Sequence, residues 1–172
     1  MSKLIFSRKS ILFFSFIVLV LSSCSKDDTV NPDYVGTWSA TSESSGTQVK
    51  DNITFTKDGF SEVEQLYNPT SSKWISYMKA TGSISITGAT MTVTYKGIGI
   101  SAVDPISGYP TGSITMYNYD STEFQSIMST SGQTTSFVSQ YSVSGNQLTL
   151  MSDNNGNGTY TDPGETSVYT KQ

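Results

Sequence analysis

From Tyr34 onward, apolar and polar positions alternate over short stretches broken by glycine or asparagine turn signals, the period of two that marks half-buried β-strands. "VKDNITF" sets Val49, Ile53 and Phe55 on one face, and "KDG" (Lys57 to Gly59) turns the chain into "FSEVEQLY". "SISI" places Ile84 and Ile86 together, "TGAT" (Thr87 to Thr90) reverses direction, and "MTVTY" aligns Met91, Val93 and Tyr95. The matched apolar faces predict a hairpin. Beyond Lys96 the apolar positions become Ile98 and Ile100, a change of phase that predicts a bulge or bend at Gly97.

Further strands are predicted over Ser113 to Tyr119, Glu123 to Ser129, Thr135 to Val143, Gln147 to Met151 and Thr166 to Lys171, with "SGN" (Ser144 to Asn146) as a tight turn. No stretch shows a convincing helical period. The chain therefore reads as all-β, with about eight to ten strands, mostly joined by short connections. Sequential antiparallel neighbours in that number suggest a closed up-and-down barrel, which removes exposed edges; a two-sheet β-sandwich is the alternative.

Before Tyr34 the pattern is different. Lys3, Arg8 and Lys9 precede the near-continuous apolar run "ILFFSFIVLVL" (Ile11 to Leu21). That is the order of a secretory signal peptide, and the run is too short for the roughly 20 residues of a membrane-spanning helix. "LSSC" then supplies small residues, Ser22 and Ser23, just ahead of Cys24. It resembles the lipobox of bacterial lipoproteins, which implies cleavage after residue 23 and acylation of Cys24. A lone thiol exported to an oxidising compartment makes physical sense as a lipid attachment point. "SKDDTVNPD" (Ser25 to Asp33) reads as a polar tether, and its "SKDD" resembles the acidic surface-export signal of Bacteroidetes lipoproteins. The expected organisation is a leader over 1–23, a lipidated cysteine and tether over 24–33, and one barrel domain over 34–172. The expected location is the outer membrane, anchored through lipid and displayed at the cell surface.

Composition narrows the chemistry. Loss of Lys3, Arg8 and Lys9 with the leader takes the 10 basic residues to seven lysines against 14 acids, a net charge of −7, with no arginine or histidine. Phosphate clamps built on arginine are excluded, and the acidic balance argues against nucleic acid. Histidine-dependent nucleophilic systems and thiolate or histidine zinc sites are excluded too. Glu62 and Glu64 share one face of a predicted strand, but alternating acids usually mark a solvated face. No catalytic residues, and no enzyme, are expected.

"YVGTW" (Tyr34 to Trp38) resembles the Gly-x-Trp opening of lipocalins and of lipocalin-like domains in Bacteroidetes lipoproteins. The resemblance extends loosely over Tyr34 to Gln172. It implies that Gly36 and Trp38 start the first strand, with the indole plugging the closed end of the barrel. Lipocalins lay a late-strand arginine over that ring; here Lys171 in "YTKQ" is the available cation. The other reading of Trp38 is an ordinary core aromatic. The implied activity is non-covalent binding of a small apolar or amphipathic ligand, in a cavity lined by side chains such as Val49, Ile53, Phe55, Val93 and Tyr95.

Two longer loops stand out. In "DNNGNGTYTDPGE", the oxygens of Asp153, Asn155, Asn157, Asp162 and Glu165 resemble the calcium loops found between β-strands of surface proteins, and could hold Ca²⁺ weakly. The other reading is a polar hairpin whose Asn-Gly pairs supply positive φ. "SAVDPISGYPTG" (Ser101 to Gly112) is expected to edge the barrel mouth, where Tyr109 would meet an amphipathic ligand or stack on a sugar ring. The alternative function is a structural or accessory surface lipoprotein whose barrel is filled by its own side chains and whose loops contact a glycan or protein partner. A continuous internal cavity of several hundred Å³ would favour the binding module, and a packed interior the accessory role.

Overall fold

The computed structural model describes residues 32–44, 46–131, 134–153 and 157–172. The leader, Cys24, almost all of the tether and Asn155 lie outside the described residues. Among the described residues, ten strands and one helix follow in order: β1 (Gly36–Ser44), β2 (Thr47–Phe55), β3 (Gly59–Asn68), β4 (Lys73–Thr87), β5 (Thr90–Val103), β6 (Pro110–Ile114), β7 (Tyr117–Asn118), α1 (Thr122–Ser131), β8 (Ser136–Ser144), β9 (Gln147–Ser152) and β10 (Thr166–Lys171).

Eight of these strands close into an antiparallel up-and-down barrel. β1 to β5 pair in sequence, β5 pairs β8, β8 to β10 continue, and β10 returns to β1 through Trp38 opposite Lys171. Closure leaves no free edge within the ring. Residues 31–172 form one compact unit, and among the described residues its main core draws every member from Tyr34 to Tyr169, so the barrel carries its own core.

The predicted turns fall where expected. The Thr56 N–H donates to the Gly59 carbonyl at 2.9 Å across the β2–β3 turn, and Gly88 and Gly145 take φ of 61° and 59° in the β4–β5 and β8–β9 turns. The predicted break in phase is a β-bulge: Thr81 opposes Gly97 while Gly82 opposes Tyr95, leaving Lys96 as the extra residue. Gly82 sits where backbones nearly touch, since a Cβ there would lie 2.1 Å from the Thr94 carbonyl oxygen. A second bulge leaves Tyr77 unpaired between Ser76 and Met78 on β4.

Two sequence expectations are corrected. Glu123 to Ser129 is not a strand but part of α1. Ser121 caps that helix, its Oγ accepting the Phe124 N–H at 3.1 Å, and Phe124, Ile127 and Met128 recur at helical spacing against Ile98 and Met78. Ser113 to Tyr119 is likewise not one strand: it breaks into β6 and β7, which pair in turn along the same edge of β5. There they cover the part of β5 that runs past its pairing with β8.

One end of the barrel is plugged by aromatic rings. Trp38 is fully buried, and its Nε1 donates to the Tyr34 carbonyl at 2.8 Å. Tyr34 stands edge-on to Phe55 and Tyr141, with centroids 6.4 and 5.7 Å apart, and its hydroxyl donates to the Lys57 carbonyl. The opposite end carries the β9–β10 loop and the β6–β7–α1 excursion.

Candidate functional site

Period-two alternation on β2, β3 and β5 directs Asp51, Ile53 and Phe55, Phe60, Glu62 and Glu64, and Met91, Val93 and Tyr95 to the inside of the ring. The inner side chains fill the plugged end but not the rest. A cavity of about 800 Å³ remains, with Ile53, Phe55, Phe60, Val93 and Leu150 among its apolar walls and Glu62, Tyr95, Ser139 and Tyr169 among its polar groups. It extends to Asp153, Tyr160, Gly164 and Glu165, so the β9–β10 loop borders its mouth. A second cavity of about 260 Å³ lies against α1, between Ile127, Met128, Met78 and Ile98, and Glu62 and Tyr95 line both spaces.

The acids are the unexpected feature. Glu62 and Glu64 do not form a solvated face; β3 shares its inward phase with Phe60 and carries both into the barrel, opposite the Asp51 side of β2. Tyr169 donates its hydroxyl to Asp51 Oδ2 at 2.7 Å, and Tyr77, placed by its bulge, donates to Glu64 Oε2. Asp51 Oδ1 is buried without a hydrogen-bond partner.

Burial, then the charges of Asp51 and Glu64, push the Glu62 carboxyl up to about 8. Burial also lifts Asp51 to about 6, opposed by the Tyr169 hydrogen bond and reinforced by Glu64. Tyr77, Tyr95 and Tyr169 are all raised, first by burial and then through the carboxylates near them. These phenols stay protonated, and Tyr77 and Tyr169 serve as the hydrogen-bond donors.

Of the residues expected to meet a ligand, the structure gathers Ile53, Phe55, Val93 and Tyr95 on the larger cavity. Val49 shares the inward phase of β2 but lines neither cavity. Tyr109 lies on the β5–β6 hairpin, whose turn Asp104 organises by accepting the Ile106 and Ser107 N–H groups at 2.9 and 2.8 Å. This hairpin does not edge the larger cavity; the β9–β10 loop does so instead. Asp51, Glu62, Glu64, Tyr77 and Tyr169 are the additions that sequence reasoning missed. Their signal was phase: each acid falls in step with an inward apolar residue, Asp51 with Ile53 and Glu62 with Phe60.

In the loop likened to a calcium site, Asp153 accepts the Asn157 N–H through Oδ1 at 3.1 Å and the Gly158 N–H through Oδ2 at 2.8 Å. Asn157 donates its side-chain amide to Asp162 at 2.6 Å, and buried Glu165 accepts the Asp162 N–H at 3.1 Å. Among the described residues, no three acidic, histidine or cysteine side chains form a metal-holding group.

Gly36 and Trp38 stand at the start of β1 as the lipocalin likeness implies, and Lys171 Nζ lies 5.0 Å from the indole centroid. No protein-family model matches this chain, and no curated protein matches it.

Proposed function

We propose that this protein is a lipid-anchored barrel of the cell envelope that takes a small apolar or amphipathic ligand, without covalent chemistry, into its interior. The observation that carries this reading is the cavity of about 800 Å³ inside the closed ring, with apolar walls and a few polar groups. That volume falls in the range of small-molecule sites, whereas a barrel serving only as a spacer gains stability by filling its core. The anchor and the outer-membrane, surface-exposed location rest on the leader, Cys24 and the acidic tether.

A polarity-sensitive neutral dye, N-phenylnaphthylamine, tests the reading. The dye is expected to brighten on adding residues 31–172 and to lose that signal in Val93→Trp, whose indole occupies the cavity. Equal dye response in the two proteins overturns it.

The accessory role keeps one supporting observation. Ile106 is 96% exposed and Val103 61% exposed on the β5–β6 hairpin, an apolar tip suited to a partner surface. Retained dye binding after Val103→Ser and Ile106→Ser would show that the tip and the cavity act separately.

A further inference from the structure

The described walls of the two cavities carry acids and no lysine. Glu62 faces both cavities, Glu64 lines the smaller one, and Asp153 and Glu165 stand at the mouth of the larger. Lys50 alternates outward from Asp51 and lies over the Trp74 ring, and Lys171 is taken up by Trp38. Past residue 23 the sequence offers no arginine or histidine.

A cavity walled by apolar side chains, whose described ionisable groups are acids and phenols with no lysine among them, discriminates between ligands. An anionic amphiphile would add negative charge to a desolvated space where Asp51, Glu62 and Glu64 already raise one another's cost of ionising, so it is disfavoured. A bare metal ion fits poorly, because among the described residues the acids spread along the cavities and do not converge in threes. An organic cation fits on both counts. Its charge would be balanced by the carboxylates, and Phe60, Tyr95 and Phe137, with Tyr95 5.5 Å from Phe60 and 5.8 Å from Phe137, line the same cavity as Glu62 and supply aromatic surface to an ammonium group.

From this geometry we infer that the barrel selects an amphiphile with a positively charged ammonium head, seated at Glu62, its apolar body lying along Ile53, Phe55, Val93 and Leu150. The inference rests on the ligand-binding reading and narrows it to a chemical class.

A proton is coupled to this event. The groups facing Glu62 are Asp51 on β2, Glu64 on its own strand, Tyr77 on β4, Tyr95 on β5 and Tyr169 on β10. In the empty barrel burial and the neighbouring acids keep Glu62 protonated at neutral pH. A bound cation favours the carboxylate, so the proton leaves as the ligand enters and affinity rises with pH.

The experiment is calorimetric titration of residues 31–172 with decyltrimethylammonium, decanol and decanoate, each below its aggregation threshold, at pH ~6 and ~8.5. The quaternary probe keeps its charge throughout, so any pH dependence belongs to the protein. It is expected to bind at least about tenfold more tightly than decanol at the higher pH, with a smaller advantage at the lower. In Glu62→Gln the ratio of the two affinities should approach one, and Glu64→Gln should lower it to a lesser degree. Decanol or decanoate binding as tightly as the ammonium probe would overturn the inference and leave the ligand-binding reading intact. Absence of binding by all three, together with a silent dye, would overturn both.

Discussion

Lys171 holds its ammonium 5.0 Å from the centre of the Trp38 ring, and the same side chain places its Cε only 3.0 Å from where a Cβ on Gly36 would sit. The last strand thus locks over the first at the plugged end of the barrel. Gly36 adopts φ of 140°, a backbone state that a branched side chain resists, so it serves both the turn into β1 and the passage of the lysine. Trp38→Ala is expected to destabilise the barrel by about 3–5 kcal/mol, the range for deleting a large buried aromatic. Lys171→Ala should cost about 0.5–2 kcal/mol through the lost cation–π contact, and Gly36→Val should also destabilise. Urea melts of the three variants check this, and a loss below about 1 kcal/mol for Trp38→Ala would contradict the plug.

Glu62 gives the protein an unusual pH dependence. Its carboxyl ionises at an ordinary 4.5 in the unfolded chain and at about 8 in the folded one. Between those values the folded state holds a proton that the unfolded state has released, so stability is full below the lower value and falls as the pH climbs through the upper. Asp51, lifted from 3.8 to about 6, acts with the same sign at lower pH. The barrel should therefore be more stable at pH ~5 than at pH ~8.5, and Glu62→Gln should recover about 1–3 kcal/mol at the higher pH. Identical wild-type melts at the two pH values would show that the carboxyl is not desolvated.

Gly82 tests the barrel bend. A methyl group there meets the Thr94 carbonyl oxygen at 2.1 Å and the Phe60 ring at 2.6 Å. Backbone cannot yield as a flexible side chain can, so Gly82→Ala is expected to cost about 1–3 kcal/mol or more. Gly88, with nothing within 4 Å, is the comparison site for a substitution limited to local turn strain. Thermal melts of the two alanine variants should rank Gly82 as the costlier.

Membrane attachment is tested at Cys24. On the proposed reading the Cys24 sulfur carries the acyl link to the bilayer, so Cys24→Ser should move the protein from the membrane to the soluble fraction and abolish labelled fatty-acid incorporation. Replacing Lys26 to Asp28 with alanines should reduce protease accessibility on intact cells while lipidation persists. Fatty-acid labelling of the serine variant would defeat the lipoprotein reading.

The sequence by itself determined the all-β class, the turns and the bulge beside Gly97, because strand period and turn chemistry are local properties of the chain. It also marked Gly36, Trp38 and Lys171 as partners, though only on the strength of a family likeness. It misread α1, where the Ser121 cap and the spacing of Phe124, Ile127 and Met128 lay in a stretch too polar for the helical period to stand out. Only the tertiary structure decided which face of β3 is inside. Glu62 and Glu64 alternate as a solvated face would, and what turns them inward is the register that closes the ring: Phe60 opposes Phe55, and Val63 opposes Asn52 and Lys79 on the outer face. Register is a long-range property, set when the apolar faces of several strands find one core together, and the same closure leaves the space that those acids surround.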